Sequence, residues 1–339
     1  MNTSEFLNIT AAIVPDREAL IFEGQRMTFE QLGDRVNRLA NALAELGVAS
    51  GDRIATMQVN TSAMVETCFA AAKLDAVYLP LNFRVKNDEL GFMLNDATPT
   101  VLFAGARYLD MADGLRSPDS PVKHYVSLED PRDNWLDYEG LIAGGSPEER
   151  FGAADEDDLA VLMFTAGTTG TPKGVMLSHN SFSSYILANV DPVDLETEEK
   201  NLVTVPMYHI AGLQAVMAAV YGGRTLIIHR QFDPVAWMEA VQSEGADRAM
   251  MVPTMLKQLL DHEEFSKFDL STMKVITYGA APMPLEVIKR AMKGMPGTRF
   301  INAFGQTETA STITMLAPDD HDIPDGLPEE EVERRMKRL

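Results

Sequence analysis

The sequence predicts an α/β fold with two stacked subdomains, each built on a mainly parallel sheet covered by helices. Strand and helix signals alternate along almost the whole chain, which is typical of parallel sheets with helices on both faces. About ten strand candidates are many for a single sheet, so we expect two sheets. The 339 residues, 45% hydrophobic and 23% charged, provide an ample core for such a fold.

Local patterns predict the individual elements in order. A helix begins with a capping box between Thr28 and Gln31, and Gly47 ends it. Short apolar runs predict strands at 53–58, 76–79, 100–103, 124–127, 159–164, 201–205, 225–229, 249–252, 274–278 and 299–303. Helical spacing between several of them predicts helices at 212–220, 234–244, 254–261 and 284–292.

A stretch rich in glycine, proline and acid predicts the domain boundary within 129–158. We expect a first subdomain at 1–156, a second subdomain at 157–317 and a charged tail at 318–339, with a short helix pattern over 329–339. The acidic run 155–158 at the boundary is interpreted as a solvated linker or the start of a helix rather than as a metal site.

Composition and charge argue against several classes of protein. A net charge of -21 disfavours binding to a nucleic-acid polymer, because an acidic surface repels the phosphate backbone. The single Cys68 permits no intramolecular disulfide and is interpreted as a buried thiol. The first residues lack the pattern of a signal peptide, and no apolar run approaches about 18 residues. We therefore expect a cytoplasmic protein without a transmembrane segment, and a homodimer stays open.

The segment that follows the predicted strand 159–164 is unusually rich in glycine and hydroxyl groups. Between Phe164 and His179 it contains three glycines, five serine or threonine residues and Lys173. Backbone N–H groups of a glycine-rich turn after a parallel strand can converge on phosphate oxygens, and a lysine adds a mobile positive charge. The spacing is not that of a Walker P-loop, because Thr171 and Pro172 separate Gly170 from Lys173. No G-x-G-x-x-G follows any predicted strand either.

This segment resembles the signature of the adenylate-forming superfamily, which contains acyl-CoA synthetases, nonribosomal peptide adenylation domains and firefly luciferase. Three further segments resemble motifs of that family and follow in its order. They are Pro206-Met207-Tyr208-His209-Ile210-Ala211-Gly212, Tyr278-Gly279-Ala280-Ala281-Pro282 and Asn302-Ala303-Phe304-Gly305-Gln306-Thr307-Glu308. The resemblance extends from the helix at Thr28 to about Ala317, and it implies the fold of the acyl-CoA synthetase and luciferase N-terminal domains.

The resemblance implies ATP, Mg²⁺ and CoA as ligands, and it assigns a role to each motif. The residues implied to bind phosphate are Thr165, Ala166, Gly167, Thr168, Thr169, Gly170, Thr171 and Lys173. The residues implied to bind the adenine ring or the rest of the nucleotide are Gly279, Ala280, Ala281, Pro282, Asn302, Ala303, Phe304, Gly305, Gln306 and Thr307. Glu308 is the implied Mg²⁺ ligand, and Lys173, His209, Thr307 and Glu308 are the implied catalytic residues.

The histidine segment favours an uncharged acyl group in the substrate. Amino-acid adenylation domains commonly carry an aspartate near the start of this segment, and 206–212 contains no acid. Side chains expected in the apolar wall are Ile210, Leu213, Met217, Val252 and Tyr278, with one or two methionines such as Met255. We therefore predict ATP-dependent activation of a hydrophobic carboxylic acid as its acyl-adenylate, with transfer to CoA in the full-length protein.

Two other functions stay open from the sequence. One is an amino-acid or aryl-acid adenylation domain that feeds a carrier protein, and the other is a non-catalytic nucleotide-binding fragment. The family also has a Thr-Gly-Asp motif, a hinge and a C-terminal domain with a catalytic lysine, and these 339 residues contain none of them. We therefore expect weak ATP binding and slow turnover from this chain alone, and mobility at 329–339.

Overall fold

A computed structural model describes residues 1–166, 170–321, 326, 328–336 and 338. The strands are β1 Glu18–Phe22, β2 Gln25–Thr28, β3 Arg53–Met57, β4 Val77–Leu81, β5 Val101–Ala104, β6 His124–Ser127, β7 Leu136–Asp137, β8 Leu159–Thr165, β9 Lys173–Ser178, β10 Lys200–Val203, β11 Thr225–Ile228, β12 Arg248–Met251, β13 Val275–Gly279, β14 Arg299–Gln306 and β15 Ser311–Leu316.

The helices are α1 Ser4–Ile13, α2 Phe29–Glu45, α3 Ser62–Lys73, α4 Asn87–Ala97, α5 Leu109–Asp113, α6 Tyr138–Gly144, α7 His179–Asn189, α8 Ile210–Tyr221, α9 Pro234–Glu244, α10 Pro253–Asp261, α11 Leu285–Gly294, α12 Pro318–His321 and α13 Glu329–Met336. The predicted capping box of α2 is confirmed. Thr28 Oγ1 accepts from the Gln31 backbone N–H at 3.2 Å, and Gln31 Oε1 accepts from the Thr28 N–H at 2.9 Å.

The strands form two sheets, as the sequence predicts. An eight-stranded sheet has the order β15-β14-β13-β12-β10-β11-β1-β2, and a seven-stranded sheet has the order β7-β6-β5-β3-β4-β8-β9. Three pairs are antiparallel, β1 with β2, β8 with β9 and β14 with β15, and the other pairs are parallel. Each antiparallel pair adds an edge strand to a parallel sheet.

Apolar side chains cover both faces of both sheets. In β1 and β11, Leu20 and Leu226 belong to a core that also contains residues of α2, α3 and α8, whereas Ile21 and Ile227 belong to a core with α9, α10 and α11. This alternation is the period of two expected for strands that are buried on both faces. The first core also contains Tyr78 and Phe103 of the seven-stranded sheet, so it lies between the two sheets and stacks them.

The sheets do not follow the predicted domain boundary at 156/157, which stays a prediction. The strands β1 and β2 precede residue 156 but belong to the eight-stranded sheet with β10 to β15. The strands β8 and β9 follow residue 156 but complete the seven-stranded sheet. The chain therefore crosses between the sheets twice, once between β2 and β3 and once between β9 and β10. The parallel pairing of β1 with β11 and the pairing of β8 with β4 each join strands from the two sides of the predicted boundary.

The boundary segment itself is held by side chains rather than free. Asn41 Nδ2 donates to the carbonyl oxygens of Ser146 and Glu148, at 2.9 and 2.8 Å. Lys73 Nζ donates to the Arg150 carbonyl at 3.0 Å, and Asp75 accepts from the Ala153 N–H at 3.0 Å. These contacts fasten the segment across α2 and α3.

The structure also describes the environment of the single cysteine and the length and polarity of the helices. Cys68 is 3% exposed, and burial raises its pKa to about 12, as expected for an inert buried thiol. Within the described ranges, every helix is too short or too polar to cross a membrane.

Candidate active site

A cavity of about 930 Å³ lies where strands of both sheets end. Residues within a few positions after the carboxyl ends of β4, β10, β11, β12, β13 and β14 line it, together with the last residue of β8. Parallel α/β sheets bind ligands at the carboxyl ends of their strands, because the loops there diverge and leave a crevice. The two sheets therefore direct their binding ends at one shared cavity.

The end of β8 and the residue after it form one rim of this cavity. Thr165 ends β8 and pairs with Lys173, the first residue of β9, in an antiparallel hairpin. Thr165 Oγ1 donates to the Lys173 carbonyl at 3.5 Å. Thr165 and Ala166 line the cavity, whereas Lys173, the strand partner of Thr165, is exposed and lies outside the lining. The predicted phosphate-binding residues Gly167, Thr168 and Thr169 lie outside the described residues.

His209 lies on the wall that begins α8. It is the N-cap residue of that helix, but its side chain makes no capping hydrogen bond. Its ring packs against the Tyr208 ring at 4.1 Å and faces the open cavity. Although solvent reaches the ring, burial by the surrounding walls and the charge of Arg84 lower the pKa of His209 below its usual value. The imidazole is therefore neutral at pH 7.

Gly212 explains how the histidine segment turns so tightly. A Cβ atom at Gly212 would lie 2.4 Å from the Pro206 carbonyl oxygen, so only glycine allows the first turn of α8 to approach 206 this closely. This approach places His209 between the end of β10 and the helix. Glycine is therefore required at this position of the motif, because a side chain there would prevent the close approach that positions His209.

The segment 278–282 contributes mainly backbone to the cavity. A Cβ atom at Gly279 would lie 2.1 Å from the Ala303 carbonyl oxygen, so glycine is required at the end of β13, where it pairs with Ala303 of β14. Ala280 follows with φ +65° and lines the cavity. Ala281 and Pro282 are exposed and are not among the lining residues.

The segment 302–308 carries the polar end of the cavity. The strand β14 continues to Gln306, and a short 3₁₀ turn, Thr307–Thr309, follows. The turn is capped by Thr309, whose Oγ1 accepts from the Gln306 N–H at 3.2 Å. Gly305, Gln306, Thr307 and Glu308 line the cavity, whereas the Phe304 ring is 64% exposed outside it.

Of the seventeen predicted site residues that the structure describes, eight line the cavity and nine lie outside its lining. The predicted site residues that line the cavity are Thr165, Ala166, His209, Ala280, Gly305, Gln306, Thr307 and Glu308. Those that the structure describes outside the lining are Gly170, Thr171, Lys173, Gly279, Ala281, Pro282, Asn302, Ala303 and Phe304. All four motifs contribute at least one lining residue, although they are separated by up to 143 positions.

Part of the expected apolar wall is in the core instead. Ile210, Val252 and Met255 line the cavity. Leu213 and Met217 are 2% and 1% exposed on the inner face of α8, so they belong to the core between the sheets. Tyr278 is fully buried, and its hydroxyl is hydrogen-bonded to His321 Nε2 at 2.9 Å. Tyr278 therefore holds the end of β13 against α12 rather than contacting a ligand.

Several lining residues lie outside the set predicted from the sequence. They are Phe83, Arg84, Thr204, Gln231, Phe232, Thr254 and Gln258. Phe83 and Arg84 follow β4, and Gln231 and Phe232 follow β11. Phe83, Arg84, Gln231 and Phe232 could have been predicted from their positions after predicted parallel strands, because the residues that follow such strands lie together at one edge of a sheet.

Comparison with known proteins now identifies the family. The family model described as AMP-binding enzyme matches residues 7–334. This chain belongs to that family. The resemblance drawn from the four motifs is thereby confirmed.

Two relatives and one solved structure illustrate the similarity. The indoleacetate–CoA ligase of Aromatoleum aromaticum is 30% identical over 323 residues, 94% of this chain and 62% of that protein. The long-chain-fatty-acid–CoA ligase FadD13 of Mycobacterium tuberculosis is 31% identical over 305 residues, 87% of this chain and 58% of that protein. The inhibitor-bound N-terminal domain of FACL13 from Mycobacterium tuberculosis superposes with a TM-score of 0.85 at 28% identity, covering 94% of this chain and 79% of that chain.

These alignments confirm the expected fold and show how much of each relative the chain covers. The chain covers 62% and 58% of the two relatives, so it spans about three fifths of the proteins that it matches. The named relatives are acid:CoA ligases of different substrate types, one aromatic and one aliphatic.

Proposed function

We propose that this chain binds ATP and a hydrophobic carboxylic acid and joins them as an acyl-adenylate, and that transfer to CoA follows in the full-length protein. The observation that carries the proposal is the single cavity lined by residues from all four motifs. Its polar end is formed by Gly305 to Glu308, and apolar side chains such as Ile210, Val252 and Met255 lie on its other walls. A nucleotide and an apolar acid therefore have suitable surfaces within one site.

The proposed reaction needs positioning and charge stabilisation more than covalent help from the protein. An oxygen of the carboxylate bonds to the α-phosphorus of ATP, and the bond to pyrophosphate breaks with the electron pair going to pyrophosphate. We assign donors for the phosphates to the rim at Thr165 and Ala166 and to Thr307. Lys173, at the start of β9, is the proposed cation for the departing pyrophosphate.

The charged residues present fit Mg²⁺ bound together with ATP. Glu308 presents an exposed carboxylate to the cavity. In the part of the chain that the structure describes, no cluster of three His, Cys, Asp or Glu side chains could hold a metal. Mg²⁺ characteristically uses one or two carboxylates together with phosphate oxygens and water, so a single glutamate beside a phosphate site suffices. Glu308 would hold the ion, which supplies positive charge beside the phosphates when bound.

The substrate class follows from the charge of the wall as much as from its apolarity. The segment 206–212 carries no acid that would pair with an ammonium group, so an amino acid is disfavoured. The two relatives act, by their names, on indoleacetate and on long-chain fatty acids, so aromatic and aliphatic acids both belong in a test. A carrier protein in place of CoA remains the second candidate for the acyl acceptor, because a fatty acid–[acyl-carrier-protein] ligase of Streptomyces coeruleorubidus is 28% identical. A cytoplasmic location and a homodimer stay predictions.

The test is acid-dependent pyrophosphate release under single-turnover conditions, with protein in excess over ATP. Decanoate, indole-3-acetate, ferulate and phenylalanine form the panel of acids. We expect slow release with one or more of the first three acids and none above the acid-free rate with phenylalanine. Release that no acid changes would contradict the proposal.

A second arm tests the nucleotide half of the site by calorimetry. Lys173→Ala should weaken ATP binding about tenfold while leaving thermal unfolding unchanged, because the lysine is exposed and makes no ion pair with a described residue. Lys123→Ala is the matched control, since Lys123 is an exposed lysine that precedes β6 at the opposite, amino edge of its sheet. Equal ATP affinity in both variants would remove Lys173 from the phosphate site.

A further inference from the structure

Arg84 occupies a place in the cavity wall that none of the four motifs explains. It follows β4 of the seven-stranded sheet and lines the cavity. Its guanidinium carbon lies 5.4 Å from the centre of the Phe83 ring, a cation–π contact that steadies the side chain. The Phe83 ring packs edge-on against Tyr208 at 5.2 Å, and Tyr208 packs against His209 at 4.1 Å. The guanidinium thus belongs to the same wall as His209.

The guanidinium of Arg84 has no carboxylate partner among the residues that the structure describes. Arg230, which also follows a strand end, pairs with Glu23 and with Glu129, each at 2.5 Å. The backbone N–H of Arg84 donates to Asn82 Oδ1 at 2.9 Å, which fixes the turn while leaving the side chain available.

An unpaired guanidinium in a partly enclosed wall attracts an anionic oxygen pair. The Arg84 side chain is exposed to the cavity, and its planar fork matches a carboxylate in two parallel hydrogen bonds. The side chains of Ile210, Val252 and Met255, which line the same cavity, suit the apolar part of an acid rather than a phosphate chain. We propose that Arg84 binds the carboxylate of the acid substrate before adenylation and thereby selects the anionic acid over its neutral analogues. This inference rests on the proposed function.

The contact should act mainly on substrate binding. The carboxylate loses its negative charge when one of its oxygens bonds to the α-phosphorus, so the attraction to Arg84 is largest in the bound acid. An interaction made in the bound substrate appears in the dissociation constant and the KM of the acid, and less in kcat. A purely structural arginine would instead affect thermal stability or kcat, and would not distinguish an acid from its amide.

The test compares Arg84→Gln, Arg84→Lys and the control Arg107→Gln with the parent chain. Arg107 is an exposed arginine that does not line the cavity. Calorimetry measures the binding of decanoate and indole-3-acetate, of the matching primary amides, and of ATP. We expect Arg84→Gln to weaken acid binding about tenfold or more and to remove the preference for acid over amide. Arg84→Lys should fall between, and Arg107→Gln should match the parent.

Three results separate the failure of this inference from that of the proposed function. If neither acid binds the parent, the proposed function fails and the inference fails with it. If the parent binds an acid and Arg84→Gln binds it equally well, only the inference fails. If Arg84→Gln weakens ATP binding and leaves acid binding unchanged, Arg84 contacts phosphate and the inference is overturned. Thermal unfolding of each variant shows that the fold is retained, and Arg84→Lys provides a conservative second variant if Arg84→Gln does not fold.

Discussion

The two ends of the eight-stranded sheet differ in how the charged residues beside them are paired. At the amino ends, Glu199 precedes β10 and pairs with Arg224 and with Arg248, each at 2.6 Å. At the carboxyl ends, Glu308 and His209 face the cavity, and neither forms an ion pair with any described residue. Beside the cavity the parallel strands thus carry available polar groups, whereas the pairs at their amino ends, like those of Arg230 with Glu23 and Glu129 after β11, are closed.

The amino-end cluster is arranged for stability. The side chains of Glu199 and Arg224 are only 18% and 17% exposed, so each relies on the other for its lost hydration. Burial raises the pKa of Glu199, but its hydrogen bonds and charge contacts with Arg248 and Arg224 outweigh burial and lower it overall. Polar groups that satisfy one another stabilise the sheet and leave nothing for a ligand.

The carboxyl-end groups are held by backbone geometry instead of by partners. Gly279 and Gly212 allow close backbone approaches, and the turn Thr307–Thr309 places Glu308. The residues of the Glu199 cluster, which stabilise the sheet, and the residues proposed to bind ligands therefore lie at opposite ends of the strands. Substitutions at the amino end should change unfolding, and substitutions at the carboxyl end should change binding.

Glu199→Gln is the change with the largest expected effect. It leaves Arg224 and Arg248 without their carboxylate, and we expect a loss of about 2 kcal/mol in the free energy of unfolding. Urea denaturation followed by circular dichroism measures this loss. Asp261→Asn, which disturbs exposed pairs with Lys257 and Arg290, is the control and should cost less than about 1 kcal/mol. A variant as stable as the parent would show that the cluster contributes nothing.

The same variant gives a pH test with a defined sign. Because the pKa of Glu199 is lowered in the folded state, its stabilisation is present above the unfolded pKa of about 4.3 and is lost as the pH falls through the folded value. The difference between parent and Glu199→Gln should therefore be full at pH 7 and shrink below about pH 4.3.

Glu308→Gln is expected to have a smaller effect, and on binding instead of folding. The amide keeps the shape of the side chain but removes the charge that a hard cation prefers. ATP binding should lose most of its Mg²⁺ dependence, about 1 kcal/mol, while the midpoint of urea unfolding stays unchanged. Calorimetric titrations of ATP with and without Mg²⁺ measure this. A Mg²⁺ dependence equal to that of the parent would place the metal on other residues.

The smallest effect concerns the pKa of His209. Burial lowers that pKa first, and the positive charge of Arg84 lowers it further. In Arg84→Gln the pKa should rise but remain below the usual value for histidine, because burial remains. NMR titration of the imidazole gives both values, and Arg107→Gln should leave the pKa unchanged. An identical pKa in Arg84→Gln would show that the guanidinium does not act on this ring.

Local patterns were sufficient for the regular elements and for the motifs. All ten predicted strands are present with small shifts at their ends, because a continuous apolar run identifies a strand buried on both faces. The capping box of α2 depends on residues three positions apart, so the sequence alone predicts it. The four motif segments were likewise readable as short stretches, and three of them were identified by their resemblance to motifs of the family.

The edge strands could not be predicted in this way. Each sheet ends in strands that were missed, β2 and β15 in one sheet and β7 and β9 in the other. These strands have neighbours on one side only and expose residues such as Met176, which is 72% exposed, so they lack a continuous apolar run. The strand β1, also missed, is recognised only once its parallel neighbour β11 is known.

Tertiary structure alone decided which of these residues meet. Arg84 follows β4 and His209 follows β10, strands of different sheets, and no local pattern relates them. They share a wall because the core between the sheets stacks the two sheets, and because parallel strands bring their carboxyl ends to the same edge. For the same reason Tyr278, apolar and within a motif, is in the core, while Arg84, charged and outside every motif, faces the cavity.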